Sequence, residues 1–370
     1  MIGKRHLKLA LKSIKNKRIN GDFIRYVRNR IRSFCLNPHK QVVLPFPTGI
    51  MLELGNRCNL HCTICPREYT FGKQMDIGFM PLQNACKIID ELYPYLDSIG
   101  LTGLGETLLY PHLLEIMQYI KRKNNSIIIT ISTNANFEGC VEKIKPLLPY
   151  LDNVQFSVDG INDVYEKIRP NTHFKDIADN IRQIVAIGQK ETIFMINTVI
   201  TRENYLDVPN IIDFADQLGI QYINFNRINL ASIPELNREE YTQFFHSTEY
   251  ASLLRKLFEL QKTHPGLTFS EETKSGNGSF QECTFAWHHQ YITWDGYMVP
   301  CCAKPFPKEV NFGNVFTDGG VMNVLNGKKF LAWRRLWQEN KTPDFCKTCN
   351  NICLYGKLTT DFLQLGCKES

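Results

Sequence analysis

From residue 50 onward, short apolar runs alternate with segments in which apolar residues recur every three or four positions. The apolar runs predict six β-strands, at residues 50–54, 98–102, 126–132, 153–158, 192–199 and 221–226. The periodic segments between them predict helices, at 82–96, 112–123, 174–187 and 208–218. Alternating strands and helices of this kind favour a parallel sheet that is buried on both faces. We therefore predict an α/β fold, a partial (β/α)6 TIM-like barrel whose chemistry lies at the strand C-terminal ends.

The first 47 residues show a different pattern, with apolar positions at near-helical spacing among basic residues. They predict two short basic amphipathic helices separated at Asn20-Gly21, with apolar positions at Leu7, Leu11, Ile14, Ile24, Val27 and Ile31. Residues 1–40 hold twelve Lys and Arg against one acid, Asp22. Their formal charge is therefore +11, whereas that of the whole chain is +6 because the remaining residues sum to −5. Two interpretations stay open: docking to an anionic membrane surface or partner, or a helix packed on the body with a solvated basic face.

Composition places the chain among globular proteins, since 43% of its residues are hydrophobic and 22% are charged. With 370 residues it is long enough for a core of about 200 to 250 residues and an appendage. We expect a core barrel at 48–230, a helical connection at 231–282 and a small cysteine-rich domain with a β-hairpin at 283–370. No apolar run is long enough to predict a membrane helix, and no signal peptide is recognisable. We therefore expect a cytoplasmic protein, peripheral at the membrane if its N-terminus docks there.

The chain contains 13 cysteines, and in a reducing compartment such residues favour metal binding over disulfides. Cys58, Cys62 and Cys65 follow the first predicted strand directly. Three thiolates on an iron–sulfur cubane leave one iron open to a substrate or cofactor, whereas a structural zinc site needs four closed ligands. His61 is the candidate fourth zinc ligand, but one short loop can hardly bring all four side chains together.

The spacing CxxxCxxC after a first strand resembles the defining motif of the radical S-adenosylmethionine (SAM) superfamily. That resemblance implies a 4Fe-4S cluster, with SAM bound at its open iron and cleaved reductively to a 5′-deoxyadenosyl radical. It also implies an electron donor such as flavodoxin or ferredoxin. Ile64 departs from the family pattern, which commonly has an aromatic residue there.

The resemblance extends through about residues 48 to 228 and implies a set of SAM-binding residues. Gly103-Leu-Gly105-Glu106 ends the second strand like the family's glycine-rich turn, with Glu106 directed at the SAM ammonium. Thr107 stands where the family often has proline. Arg169 matches the position that pairs with the SAM carboxylate, and the remaining expected SAM-binding residues are Ser132, Asn134 and Ser157.

The C-terminal cysteines resemble the SPASM and twitch auxiliary domains of radical SAM enzymes. Residues 291–299 predict a hairpin with an Asp295-Gly296 turn. By resemblance, the ligands of an auxiliary 4Fe-4S cluster are Cys283, Cys301, Cys346 and Cys349. A zinc ribbon built from the same four cysteines is the rival. Whether Cys302, Cys353 and Cys367 hold a second auxiliary cluster stays open.

The resemblance implies hydrogen abstraction from a substrate carbon, followed by oxidation or epimerisation. Fewer than 50 residues precede the first strand, too few for the leader-recognition domain of many peptide-modifying relatives. We therefore favour a small-molecule substrate such as a sugar, aminosugar or nucleotide sugar, with oxidation ahead of epimerisation, and no nucleic-acid partner. The alternatives are a peptide-modifying maturase, a zinc-stabilised interaction protein and an iron–sulfur electron carrier.

Overall fold

The computed structural model describes residues 21–38, 40–269, 283, 285–347 and 349. Its centre is one nine-stranded sheet with the strand order β7-β6-β5-β4-β3-β2-β1-β8-β9. The strands are β1 Gly49–Leu52, β2 Ser98–Leu101, β3 Ile128–Thr133, β4 Asn153–Ser157, β5 Ile193–Ile200, β6 Tyr222–Arg227, β7 Leu267–Phe269, β8 Tyr291–Ile292 and β9 Met298–Val299. All six strands predicted for the barrel are confirmed, and the sheet is open, as a partial barrel requires.

Strands β1 to β7 run parallel, and helices connect them. The helices are α1 Gly21–Phe34, α2 Thr70–Lys73, α3 Leu82–Leu92, α4 Leu113–Lys123, α5 Cys140–Ile144, α6 Asn162–Ile168, α7 Phe174–Ala186, α8 Val208–Gln217, α9 Arg238–Phe245, α10 Thr248–Leu260, α11 Phe285–His288, α12 Val321–Leu325 and α13 Lys328–Gln338. The four helices predicted between the strands are present, each within a few residues of its expected bounds. The expected helical connection contains α9 and α10, but also the short strand β7, which sequence periodicity did not indicate.

One face of the sheet is fully buried and the other is half-buried. Ile129, Ile131, Val154 and Phe156 alternate with half-buried neighbours along β3 and β4 and join the helices in one hydrophobic core. The half-buried face looks into the interior of the open barrel. The sequence pattern predicted a sheet buried on both faces. In the structure, β3 and β4 bury only the face that packs against the helices.

The predicted hairpin is present, with β8 and β9 antiparallel and Gly296 at φ +90° in its turn. It is not confined to a separate C-terminal unit. β8 pairs in parallel with β1, because the Met51 amide donates to the Gln290 carbonyl and the Glu53 amide donates to the Ile292 carbonyl. The C-terminal region thus extends the barrel sheet at its β1 edge, next to the first cysteine cluster.

Of the two predicted N-terminal helices, the second is α1, while residues 1–20 lie outside the described part of the chain. α1 is packed on the body through Tyr26 and Asn29, its only two buried residues. Its apolar positions Ile24, Val27 and Ile31 are exposed. The helix therefore presents its apolar side to solvent, whereas an amphipathic surface helix normally buries that side. Hydrogen bonds rather than apolar burial fix that orientation. None of the helices in the described ranges is long and apolar enough to cross a membrane.

Candidate active site

Cys58, Cys62 and Cys65 lie together in the loop that follows β1, at the C-terminal edge of the sheet. Burial raises the pKa of each thiol, that of Cys65 to about 12. Charge on each of the other two thiols raises the pKa of Cys65 further, so the three thiols are near enough to interact electrostatically. Arg67 acts in the opposite direction on all three, and Arg169 does so on Cys58 and Cys62. An iron–sulfur cluster would supply the missing positive partner for these thiolates, which is the donor chemistry that such a cluster requires.

Arg67, which sequence reasoning missed, holds the cysteine loop in shape. Its buried guanidinium donates to the carbonyls of Asn56 at 3.2 Å and Leu60 at 2.9 Å, one before and one inside the CxxxCxxC segment. The same side chain pairs with Glu68 at 2.9 Å. A buried arginine two residues after a cysteine motif gives no signal in sequence, because arginines are usually on the surface.

His61, the candidate fourth zinc ligand, is turned out of the cysteine loop. Its side chain is 75% exposed, and its Nδ1 lies 2.9 Å from a carboxylate oxygen of Glu68. The ring therefore belongs to a surface pair. With His61 excluded, three thiols are left as donors in this loop, the number that a cubane with one open iron requires.

Asn134, which follows β3, contacts the cysteine loop directly. Its side-chain amide donates to Asn59 Oδ1 at 2.9 Å and lies 3.9 Å from Cys58 Sγ. Hydrogen bonds to ligand sulfur tune the potential of iron–sulfur clusters. The resemblance assigned Asn134 to SAM. In this structure its side chain is on the cluster side of the site.

The glycine-rich turn packs against β1 and the start of the cysteine loop. A Cβ on Gly103 would lie 2.3 Å from Glu53 Cγ, and one on Gly105 would lie 2.5 Å from the Gly55 carbonyl and 2.6 Å from the Arg57 carbonyl. Both positions therefore require glycine for close approach to the protein's own chain. The resemblance to the radical SAM superfamily assigned both glycines to the SAM-binding turn.

Glu106 is buried, with its carboxylate directed at backbone amides. Oε1 accepts from the Leu108 amide at 3.0 Å and Oε2 accepts from the Asn134 amide at 2.7 Å. Burial raises the pKa of the carboxyl, and these two hydrogen bonds oppose that rise. The Thr133 side chain also hydrogen-bonds this carboxylate. Three of its roughly four lone-pair positions are therefore used, and one is left for a further donor such as the ammonium of SAM.

Arg169 lies beside the cysteine loop, because its neighbour Ile168 is bonded to that loop. The Thr63 amide, between Cys62 and Cys65, donates to the Ile168 carbonyl at 2.9 Å. The guanidinium forms a buried ion pair with Asp159. Its Nε has no hydrogen-bond partner among the described residues. A buried N–H without a partner next to the cysteines is a suitable donor for the carboxylate of SAM.

Ser132 and Ser157 lie on the half-buried inner face of the sheet, within a belt of uncharged polar side chains. Ser132 donates to Gln155 at 2.8 Å. Ser157 is level with Asn197 on the next strand, and Asn197 is level with Asn224. The inner positions of β3 to β6 that belong to this polar belt are Thr130, Ser132, Asn153, Gln155, Ser157, Asn197, Asn224 and Asn226. The side-chain amides of Asn224 and Asn226 donate to the side-chain Oδ1 of Asn197 at 2.8 and 3.1 Å.

The four cysteines expected to hold the auxiliary cluster are near enough for their charges to affect one another. Charge on Cys283 and Cys349 raises the pKa of both Cys301 and Cys346, after burial, which is the main cause. Cys302 is also near Cys349, but its surface is exposed. Asn229, in the loop after β6, lies 3.6 Å from Cys349 Sγ. Cys353 and Cys367 lie outside the described residues, so a second auxiliary cluster stays untested.

Glu53 connects the two cysteine sites. It stands at the C-terminal end of β1, where its carboxylate accepts from the Leu104 amide at 2.9 Å and the Tyr291 hydroxyl at 2.7 Å. Leu104 belongs to the glycine-rich turn, and Tyr291 begins the hairpin that leads to Cys301. The two sites therefore lie on either side of one buried carboxylate.

A three-cysteine loop at the carboxyl edge of an open parallel sheet, beside a second four-cysteine site, defines an iron–sulfur enzyme of the α/β class. A model of the radical SAM superfamily matches residues 52–215, and a model of an iron–sulfur cluster-binding domain matches residues 283–350. The chain belongs to the radical SAM superfamily and carries a C-terminal SPASM domain. Its cofactors are a 4Fe-4S cluster and SAM, with auxiliary iron–sulfur binding in the C-terminal region.

Two characterised relatives cover most of the chain at low identity. The tungsten-containing aldehyde ferredoxin oxidoreductase cofactor-modifying protein of Pyrococcus furiosus is 24% identical over 84% of this chain and 90% of its own. The antilisterial bacteriocin subtilosin biosynthesis protein AlbA of Bacillus subtilis is 22% identical over 82% of this chain and 64% of its own.

Solved structures share the fold. Streptococcus suis SuiB bound to its precursor peptide SuiA covers 90% of this chain and 76% of its own, with a TM-score of 0.61 at 14% identity. The anSMEcpe structure with bound AdoMet covers 83% of this chain and 88% of its own, with a TM-score of 0.60 at 19% identity. These likenesses confirm the partial barrel and its C-terminal extension.

Proposed function

We propose that this enzyme oxidises an uncharged polar substrate by removing one hydrogen atom, one further electron and one proton. When bound, the cluster and SAM supply a 5′-deoxyadenosyl radical, which abstracts hydrogen from unactivated carbon. Cys58, Cys62 and Cys65 would hold the cluster, Glu106 and Arg169 would bind the two ends of the SAM amino acid, and Ser157 would reach its ribose. Glu106 and Arg169 are buried, which limits the access of water to the place where that radical would form.

The observation that carries the substrate class is the polar belt of the inner sheet face. Its hydroxyl and carboxamide groups offer both donors and acceptors and carry no charge. A phosphate or carboxylate bound there would leave its charge without a partner, which is costly in a buried site. Neutral hydroxyl-rich compounds such as sugars fit the belt, and an aminosugar fits it when its amino group is acylated and so uncharged. The uncharged lining counts against a nucleotide sugar unless its diphosphate lies outside the belt.

Oxidation is favoured by the position of the second cysteine site. A cluster held by Cys283, Cys301, Cys346 and Cys349 would supply a one-electron acceptor, which oxidation needs and epimerisation does not. Glu53 hydrogen-bonds both Leu104 of the glycine-rich turn and Tyr291, which begins the hairpin that leads to Cys301, and this supports a short path between the two sites. The electron acceptor would thus border the space that holds SAM.

A peptide substrate is the second candidate. Carboxamide side chains pair equally well with the amide groups of a peptide backbone. AlbA, a protein of bacteriocin biosynthesis, also aligns with most of this chain. A peptide threaded through the open barrel would use the same belt.

A screen of candidate substrates tests the proposal. The reduced enzyme is incubated with SAM and a panel of neutral sugars, aminosugars, phosphosugars and short peptides, and 5′-deoxyadenosine is measured. We expect a neutral polar compound to accelerate its formation, and Asn197→Leu to abolish the acceleration while leaving SAM binding intact. Acceleration by phosphosugars alone would refute the substrate class.

A further inference from the structure

The outward face of α1 carries an aligned row of large apolar side chains. Ile24, Val27, Ile31 and Phe34 are 66%, 38%, 60% and 91% exposed. Spacings of three and four residues place them on one side of the helix. Single exposed apolar residues are ordinary, but an aligned row of four is a contact surface. We name these four residues the apolar stripe.

Basic side chains border the apolar stripe. Arg25, Arg28 and Arg32 are exposed on the same outward half of the helix. Asp22 is the only acid in residues 1–40, whose formal charge is +11. The surface that α1 presents is therefore apolar along one strip and strongly positive along the adjoining one.

The opposite face of α1 is tied to the body, so the stripe cannot rotate inward without breaking those ties. The Tyr26 hydroxyl donates to Asp97 at 2.7 Å. Asn29 donates to the Phe46 carbonyl at 2.9 Å and accepts from the Phe46 amide at 3.0 Å. Arg30 adds an ion pair with Asp97 at 3.0 Å. Burying the stripe on the protein's own core would cost these partly buried hydrogen bonds.

We propose that the apolar stripe and its arginines dock the enzyme on the surface of an anionic lipid bilayer, with α1 lying in the plane of the interface. An amphipathic helix with a basic border gains both from burying apolar area at the acyl boundary and from attraction to anionic headgroups. The charge of the N-terminal 40 residues favours this occupant over a second copy of the chain, which would bring an equal positive charge to the interface.

The docking orientation turns the catalytic edge away from the lipid. Phe46 and Asp97, the contacts of α1, directly precede β1 and β2, at the N-terminal edge of the sheet. The cysteine loop and the glycine-rich turn follow the C-terminal ends of the same strands. SAM and substrate therefore enter from the aqueous side while the enzyme is bound.

Vesicle co-sedimentation of the full chain tests the proposal, and no substrate is needed. The probes are phosphatidylcholine vesicles and vesicles with about one third phosphatidylglycerol. We expect wild type to bind the anionic vesicles and to lose binding as salt rises from about 0.1 to 0.5 M. Ile31→Ser with Phe34→Ser should reduce partitioning at least about tenfold, and Arg28→Gln with Arg32→Gln about tenfold or more. The matched controls, Leu206→Ser and Arg182→Gln, alter an exposed apolar and an exposed basic residue elsewhere and should change nothing.

Two readouts separate docking from a folding defect and from other partners. Iron content and SAM cleavage should be the same in all variants, because the altered residues are exposed and remote from the cysteines. Failure of wild type to bind anionic vesicles would overturn the proposal, as would binding that survives the double stripe substitution. A dimer that dissociates in the stripe variant, without vesicle binding by wild type, would assign the stripe to a second copy instead.

Discussion

The Tyr291 hydroxyl donates a 2.7 Å hydrogen bond to the buried carboxylate of Glu53 and so joins the auxiliary region to the end of the first barrel strand. Glu53 also accepts from the amides of Leu104 and Trp294. One side chain therefore fixes the glycine-rich turn, the first strand and the hairpin. Burial raises the pKa of this carboxyl, and its hydrogen-bond donors oppose the rise.

Removing Glu53 should destabilise the enzyme more than removing the hydroxyl of its partner Tyr291. Tyr291→Phe leaves Glu53 two donors and should cost about 1 to 3 kcal/mol. Glu53→Ala leaves three buried donors without an acceptor and should cost about 3 kcal/mol or more, since each costs about 1 to 3. Anaerobic denaturant unfolding measures both. Tyr119→Phe, which removes a surface bond to Asp90, is the control and should cost less than about 0.5 kcal/mol. If Tyr291→Phe and Glu53→Ala lowered the free energy of unfolding no more than the control does, the hydrogen bonds of Glu53 would not stabilise the fold.

Iron content should separate the two cysteine sites. Anaerobic reconstitution should give about eight irons per chain if each site holds a cubane, and about four when Cys58, Cys62 and Cys65 are changed together to Ala. Only that triple variant should lose all formation of 5′-deoxyadenosine. Changing Cys301 and Cys346 to Ala should also remove about four irons but leave some SAM cleavage. Retention of all the iron in the first variant would refute the ligand assignment.

Two glycines on the same segment should differ sharply in tolerance. A Cβ at Gly105 would meet backbone carbonyls at 2.5 and 2.6 Å, so Gly105→Ala should distort the start of the cysteine loop and lower both iron content and SAM cleavage. A Cβ at Gly100 would be 3.6 Å from its nearest neighbour, Thr102 Cγ2, so Gly100→Ala is the matched control. We expect the control to keep its iron. Normal iron in Gly105→Ala would mean that the turn does not support the cluster loop.

Sequence patterns were sufficient for the six barrel strands and the four helices between them, because hydrophobic periodicity is local. Thiol spacing is local too, which is why it indicates the two cysteine sites. These patterns did not predict contacts between distant segments. The pairing of β8 with β1 depends on two residues 240 positions apart, Met51 and Tyr291. The orientation of α1 depends on hydrogen bonds of Tyr26 and Asn29 that outweigh the apolar spacing. Arg67 and Glu53 were missed for a related reason: buried charges are recognisable only once their partners are in place.

SAM affinity should depend on the two groups directed at its amino-acid end. Arg169→Lys keeps a positive charge beside Asp159 but loses the planar fork, so SAM binding should weaken about tenfold. Glu106→Gln should weaken it similarly, since the ammonium loses a charged acceptor. Calorimetry on the reconstituted protein measures both, with the surface change Arg182→Lys as the control. The absorption spectrum of the cluster should stay the same. Affinities within threefold of wild type would remove both residues from the SAM site.

Solvent deuterium should decide between oxidation and epimerisation. Epimerisation must return a hydrogen atom to the substrate radical, and a free thiol commonly provides it. Cys302 is the exposed thiol beside the auxiliary cysteines, whereas Cys140 is buried in the core and Cys86 packs against it. A thiol hydrogen exchanges with water, so epimerisation in deuterated water places deuterium on a substrate carbon.

Oxidation needs no hydrogen-atom donor and leaves a product about two mass units lighter, without label. We expect this result because the second cysteine site would supply the electron acceptor. Cys302→Ser is the matched variant: it should leave oxidation intact, and loss of a deuterium-labelled product on this change would instead establish Cys302 as a hydrogen-atom donor and the enzyme as an epimerase.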